Sequence, residues 1–160
     1  VIDDQASTFG AKSHEAVVLP GGKVRLYYLT SQGVKTALSD DGINFTSENS
    51  PIITGTTGVS VVKYLPDHYL ALCAANPNPS KPELQTIRTL NAKNSVDFEP
   101  KSCEQGSLVL KPSTPFDFWG VQAPSIIKVG GAFRVFYQGF NVEPQLGGGS
   151  VILSASCRAK

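Results

Sequence analysis

Val17-Val18-Leu19-Pro20-Gly21-Gly22-Lys23-Val24-Arg25-Leu26-Tyr27-Tyr28 reads as an apolar strand, a tight turn and a second apolar strand. The stretch recurs twice without gaps. One copy is Val61-Val62-Lys63-Tyr64-Leu65-Pro66-Asp67-His68-Tyr69-Leu70-Ala71-Leu72, the other Ile126-Ile127-Lys128-Val129-Gly130-Gly131-Ala132-Phe133-Arg134-Val135-Phe136-Tyr137. Each predicts a β-hairpin whose turn holds Pro-Gly-Gly, Pro-Asp or Gly-Gly, residues that supply the backbone angles of a tight reversal. The flanking strands are apolar at nearly every position, the pattern of strands covered on both faces. Strands are expected at 17–19, 24–29, 61–64, 69–73, 126–128 and 133–138.

Outward from the first hairpin, 34–38 predicts a third strand. Ser39-Asp40-Asp41-Gly42-Ile43-Asn44-Phe45-Thr46 then predicts a turn in which Asp side chains bond the amides ahead, Gly42 takes a positive φ and Phe45 opens a fourth strand. A degenerate copy, Asn91 to Pro100, follows the second hairpin, and Val151 to Ser156 follows the third. The unit is four strands over roughly 45–65 residues, the size of a propeller blade. The expectation is an all-β single domain of about three propeller-type blades, near 14–53, 58–104 and 116–160. Ser80 to Leu90 also fits a helix, with Ser80 as N-cap and Leu84, Ile87 and Leu90 on one stripe. The repeat assigns 85–90 to a strand instead. Three blades do not close a ring of 4–8, and an open stack exposes apolar faces. Completion by a second copy or by the remainder of a longer chain is therefore expected.

The composition limits the function. Of 160 residues, 41% are apolar and 17% charged, enough to bury a core and too apolar for a disordered chain. A net charge of +1 provides no basic field for a phosphate backbone, so nucleic acid is not expected as a partner. No apolar run approaches the ~20 residues of a membrane helix, so no membrane partner is expected. The sequence opens at Val1 without an initiator Met or a signal-like apolar segment, which reads as processed or excised. Cys73, Cys103 and Cys157 form no C-x-x-C pair. They are either buried thiols or include a Cys73–Cys103 bridge, which would point to an oxidising, extracellular setting. Asn44-Phe45-Thr46 is a glycosylation sequon in a turn. His14 and His68 lie far apart in the repeat frame, so neither a metal nor another cofactor is expected. Gly147-Gly148-Gly149 has no helix after it to cradle a phosphate, and no nucleophile elbow is present.

Two stretches resemble the blades of five-bladed glycosidase propellers, the arabinanases, xylosidases and levansucrases of glycoside hydrolase families 43 and 32. The first is Pro20 to Tyr28 with Ala37 to Phe45. The second is Phe116-Asp117-Phe118-Trp119-Gly120-Val121-Gln122-Ala123-Pro124-Ser125-Ile126-Ile127 with Phe136-Tyr137-Gln138-Gly139-Phe140. The resemblance implies a carbohydrate-active propeller with carboxylates projecting from first strands into an axial funnel and a carbohydrate as partner; the alternative is a non-catalytic sugar-binding or structural module. Glycoside cleavage needs a protonated and an ionised carboxyl ~5–9.5 Å apart. Glu15 and Asp117, at the entrances of the first and third inner strands, are the candidates. Glu15 is expected as the acid, through partial desolvation, and Asp117 as the ionised base or nucleophile. Phe118 and Trp119 offer a sugar-stacking face, and His14 and Gln122 polar contacts. The family commonly presents three acids. Here the second inner strand carries none, and Gln122 stands where a third would fit.

Overall fold

The computed structural model describes residues 12–76, 78, 80–81, 84–141 and 149–158. The first sheet contains β1 (Lys12–Val18), β2 (Val24–Thr30), β3 (Gly33–Ser39) and β4 (Thr46–Ile53) in sequential antiparallel order. The second repeats that order with β5 (Val59–Leu65), β6 (His68–Ala75), β7 (Thr86–Ala92) and β8 (Ser107–Leu110). The third has three strands among the described residues, β9 (Gly120–Val129), β10 (Ala132–Asn141) and β11 (Gly149–Arg158), with β10 central. No α-helix occurs among the described residues, and Cys103–Gln105 forms a single 3-10 turn. This is an antiparallel stack of blades.

All three predicted hairpins form. Val17, Val61 and Ile126, equivalent in the repeat, are all buried. Along β6, Tyr69, Ala71, Cys73 and Ala75 join the apolar layer shared with the first sheet, while Leu72 turns to the layer shared with the third. Alternate residues of one strand thus fill two separate layers, which is why the apolar run has no gaps. Tyr27, Val34, Ile53, Leu90 and Phe98 are fully buried in the first layer, each worth ~1.5–3 kcal/mol on desolvation. Polar groups cross this layer too. Arg25 binds Glu48 through two nitrogens, at 2.8 and 3.2 Å, and also donates to Ser95 in the connection between β7 and β8. The Tyr27 hydroxyl donates to the Ser95 carbonyl at 2.8 Å.

The Ser39–Thr46 turn has the expected chemistry. Asp41 Oδ1 accepts the amides of Ile43 and Asn44, both at 2.8 Å, and Gly42 takes φ +73°. These amide bonds, with those from the Asn44 and Ser39 side chains, hold the Asp41 carboxyl well below its usual range. The degenerate copy exchanges the two residue types. Asn94 Oδ1 accepts the amides of Val96 and Asp97, and Asn94 Nδ2 donates to Asp97.

Two features differ from the sequence expectation. β1 and β9 begin well before their apolar runs, at Lys12 and Gly120. Glu15 and Gln122 therefore lie within strands, in register with Tyr27 and Gln138. Backbone pairing extends them where side chains give no apolar signal. In β9 a bulge accommodates Pro124: Ala123 has φ +47° and the register with β10 shifts between Phe136 and Gln138. Between the two readings of 80–90, the strand forms as Thr86–Ala92, and Leu84 of the helical stripe is exposed. Cys73 and Cys103 form a disulfide with Cα atoms 6.0 Å apart. The side chain of Cys157 and residues 147–148 lie outside the described residues.

Candidate functional site

The first strands of the sheets, β1, β5 and β9, lie side by side, with β5 between the other two. Consecutive strand residues face opposite ways, so His14 is exposed while Glu15 turns toward β5 and is half-buried. There Glu15 Oε2 accepts a hydrogen bond of 2.8 Å from the Ser60 hydroxyl. Ser60 in turn accepts the Ile126 amide at 3.1 Å. Ser60 was not legible as a site residue, because one serine in an apolar strand carries no motif.

Asp117 has a different environment. It is fully buried in the turn before β9. Its Oδ1 accepts the amides of Ser113 and Thr114, at 2.9 and 2.6 Å, and the Thr114 hydroxyl at 2.9 Å. Its Oδ2 accepts the Tyr137 hydroxyl at 3.2 Å. Burial alone would raise the Asp117 pKa, but these four donors outweigh it and hold the carboxyl below its ordinary value. Tyr137 is pushed the other way, by burial first and then by the adjacent charge. The turn lies directly on β10 at Gly139. A Cβ there would meet Asp117 Cβ, the Phe116 carbonyl oxygen and Leu153 Cδ1, each at 2.9 Å. The close approach requires glycine.

The anchored aspartate leaves its neighbours facing outward. Phe118 is 65% and Trp119 36% exposed, their rings edge to face with centroids 6.5 Å apart. Phe116 is also exposed. The Trp119 amide donates to the Phe140 carbonyl at 2.9 Å, fixing the aromatic pair at the start of β9. Gln122 is half-buried and donates to Gln138 at 3.0 Å.

Phe118, Trp119 and Gln122 are thus grouped along one turn and strand start. No hydrogen bond or ion pair joins Glu15 to Asp117 among the described residues. Asp117 packs at Gly139, whereas the Ser60 bond holds Glu15 at the level of Ile126, which pairs with Val135. Gly139 and Val135 are roughly 13 Å apart along β10. Glycoside cleavage needs ~5–9.5 Å between its carboxyls. Chemically, the arrangement provides an apolar stacking surface, a fixed amide pair and one half-buried carboxylate. No group of His, Cys, Asp and Glu suited to a metal occurs among the described residues.

No protein-family model and no curated protein matches the sequence. Solved structures do. An endo-1,4-β-xylanase from Bacteroides thetaiotaomicron superposes with a TM-score of 0.71 at 16% identity, over 96% of this chain and 52% of its own. An exo-1,5-α-L-arabinanase from a bovine ruminal metagenomic library gives 0.71 at 11% identity, over 98% and 55%. A family-32 β-fructofuranosidase from Bombyx mori gives 0.57 at 18%, over 81% and 29%. The fold is that of the propeller glycoside hydrolases. The chain spans about half the length of the xylanase and the arabinanase. In the glycoside hydrolase propeller frame, β1, β5 and β9 are the inner strands of about three blades.

Proposed function

We propose that this chain is part of a carbohydrate-engaging propeller of the glycoside hydrolase kind and contributes sugar binding rather than a complete acid–base pair. One observation carries the reading: Asp117 is used up as a turn anchor, and the turn it anchors presents Phe118 and Trp119 to solvent. Aromatic faces stack on the C–H faces of sugars, while a carboxylate and amides accept and donate to the hydroxyls. Pentose- and fructose-containing oligosaccharides are the first ligands to try, because the structural neighbours are described as a xylanase, an arabinanase and a fructofuranosidase.

Trp119 is the sole tryptophan, so its emission reports on the proposed site directly. Titration with xylotriose, arabinotriose or 1-kestose is expected to shift that emission. Phe118→Ala, followed through Trp119, and Trp119→Ala, followed by calorimetry, are expected to weaken binding about tenfold, the loss of one stacking contact. Stability is expected to change little in both. No emission change and no heat with any of the sugars would remove the reading.

Hydrolysis with Glu15 as one of the carboxyls is the second reading, favoured by the half-burial of Glu15 where the inner strands meet. Turnover of aryl pentosides or fructans, abolished in Glu15→Gln, would establish it over binding alone. The buried Cys73–Cys103 bridge and the exposed Asn44 support an extracellular location.

Association with further blades, from the remainder of a longer chain or from a second copy, is supported by the repeat itself. Arg25 and Tyr27 are buried beneath the second sheet, while their repeat equivalents Arg134 and Phe136 lie on the outer face of the third with the exposed Ile127 and Ile152. For the isolated chain, light scattering is expected to give a mass above 17 kDa, reduced toward the monomer by Ile152→Lys. A monomeric wild type with cooperative unfolding would reject the second copy.

A further inference from the structure

One hydroxyl joins the inner strands of all three blades. Ser60 is 1% exposed. It accepts the Ile126 amide of β9 and bonds the Glu15 carboxylate of β1. A hydroxyl has one proton to give, and an amide can only donate to it. The Ser60 proton therefore goes to Glu15, and the relay runs from amide to hydroxyl to carboxylate. The amide makes the hydroxyl a better donor, because consecutive hydrogen bonds polarise one another. Ala16, Ser60 and Ser125 are equivalent in the repeat, one residue before Val17, Val61 and Ile126. Only in the middle blade is that position buried, with a neighbouring strand on each side.

The bond takes one oxygen of Glu15. Among the described residues Oε1 has no hydrogen-bond partner and keeps its acceptor sites. Glu15 is otherwise a half-exposed side chain with freely rotating bonds, and a fixed oxygen is what distinguishes a ligand contact from a solvated one.

We infer that Ser60 is a positioning residue: it holds Oε2 of Glu15 so that Oε1 meets a sugar hydroxyl where the inner strands converge. This rests on the carbohydrate reading, and its experiment has two arms that fail separately. The first needs no ligand. Glu15 is labelled with a water-soluble carbodiimide and an amine, and the rate is followed by mass spectrometry. Ser60→Ala is expected to speed labelling at least threefold, and Ser60→Thr, which keeps the hydroxyl, to restore the wild-type rate. Should Ser60→Ala not fold, Ser60→Cys, a near-isosteric weak donor, takes its place.

The second arm measures affinity for xylotriose, arabinotriose and 1-kestose. Ser60→Ala is expected to lose about tenfold, as for one charge-assisted hydrogen bond. In a Glu15→Ala background the same change is expected to lose nothing more, although the orphaned Ile126 amide still lowers the melting temperature. Unchanged labelling in Ser60→Ala overturns the positioning role whatever the sugars do. Faster labelling with undiminished affinity, or an equal loss in both backgrounds, overturns it as well. A wild type that binds none of the three sugars overturns the carbohydrate reading, and the ligand half of this inference with it; labelling then still decides whether Ser60 holds Glu15.

Discussion

Asp117→Ala is expected to destabilise the protein by about 3–5 kcal/mol, because several buried donors lose their acceptor at about 1–3 kcal/mol each. For a chain of this size that is roughly 6–20 °C in melting temperature. The amides of Ser113 and Thr114 and the hydroxyls of Thr114 and Tyr137 would all lose their shared acceptor inside the fold. Asp117→Asn is expected to cost less, because its oxygen still accepts the two amides while its NH2 donates to the Tyr137 hydroxyl. Tyr137→Phe, which removes one donor, is expected to cost about 1 kcal/mol. The Asp117 pKa in the folded protein lies below that of the unfolded chain. Its contribution is therefore complete above the unfolded value of ~3.9 and is lost as the pH falls through the folded value. The stability gap between wild type and Asp117→Asn is expected to narrow below about pH 4. Asp41 also titrates low, but it is common to both proteins and cancels in the difference. A loss below about 1 kcal/mol for Asp117→Ala at pH 7, measured by urea unfolding, would show that the turn does not depend on this carboxylate.

The architecture was legible because the signal was repeated. Three copies of one apolar hairpin bury Val17 and Val61 in the layer between the first two sheets and Ile126 in the layer between the second and third, and no local preference competes with three concordant readings. The same repetition resolved 80–90, where capping and a three-residue stripe suited a helix and only the blade pattern suited a strand. The site was legible only in part. Asp117 lies beside aromatics at the start of an inner strand, and sequence cannot distinguish a carboxylate that faces a ligand from one that faces amides three and four residues back. That distinction depends on which way the turn folds over β10, and so on the missing side chain at Gly139. Glu15 reads as a strand entrance because the apolar run starts only at Val17, yet β1 begins at Lys12 on backbone pairing with β2. Ser60 gave no signal, since its partners are 45 and 66 residues away in sequence. Phe118 and Trp119 are exposed in the turn without any long-range contact that would have to be foreseen.

Replacing Cys73 and Cys103 together by Ala is expected to cost about 3–4 kcal/mol, since the bridge spans 30 residues and its removal restores the chain entropy of that loop to the unfolded state. The location adds to the effect. In a flat blade, β6 and the segment between β7 and β8 would be too far apart to bridge, because strands two apart are separated by roughly 9–10 Å. Residues after Phe98 double back over the face turned to the first sheet. There the Thr54 amide donates to the Lys101 carbonyl and the Cys103 amide to the Thr54 carbonyl, both at 2.9 Å. Both cysteines are fully buried in the layer between the first two sheets. The bridge therefore fixes a segment that is itself hydrogen-bonded to the neighbouring blade, and its loss loosens two sheets at once. Thermal unfolding of the double variant is expected to fall by roughly 6–16 °C and to remain a single transition, because the shared layer couples the blades. Thiol titration of the unfolded, unreduced wild type is expected to find one free group, that of Cys157. Three free groups would exclude the bridge. One free group with an unchanged melting temperature in the double variant would show instead that apolar packing and the Thr54 bonds hold the segment alone.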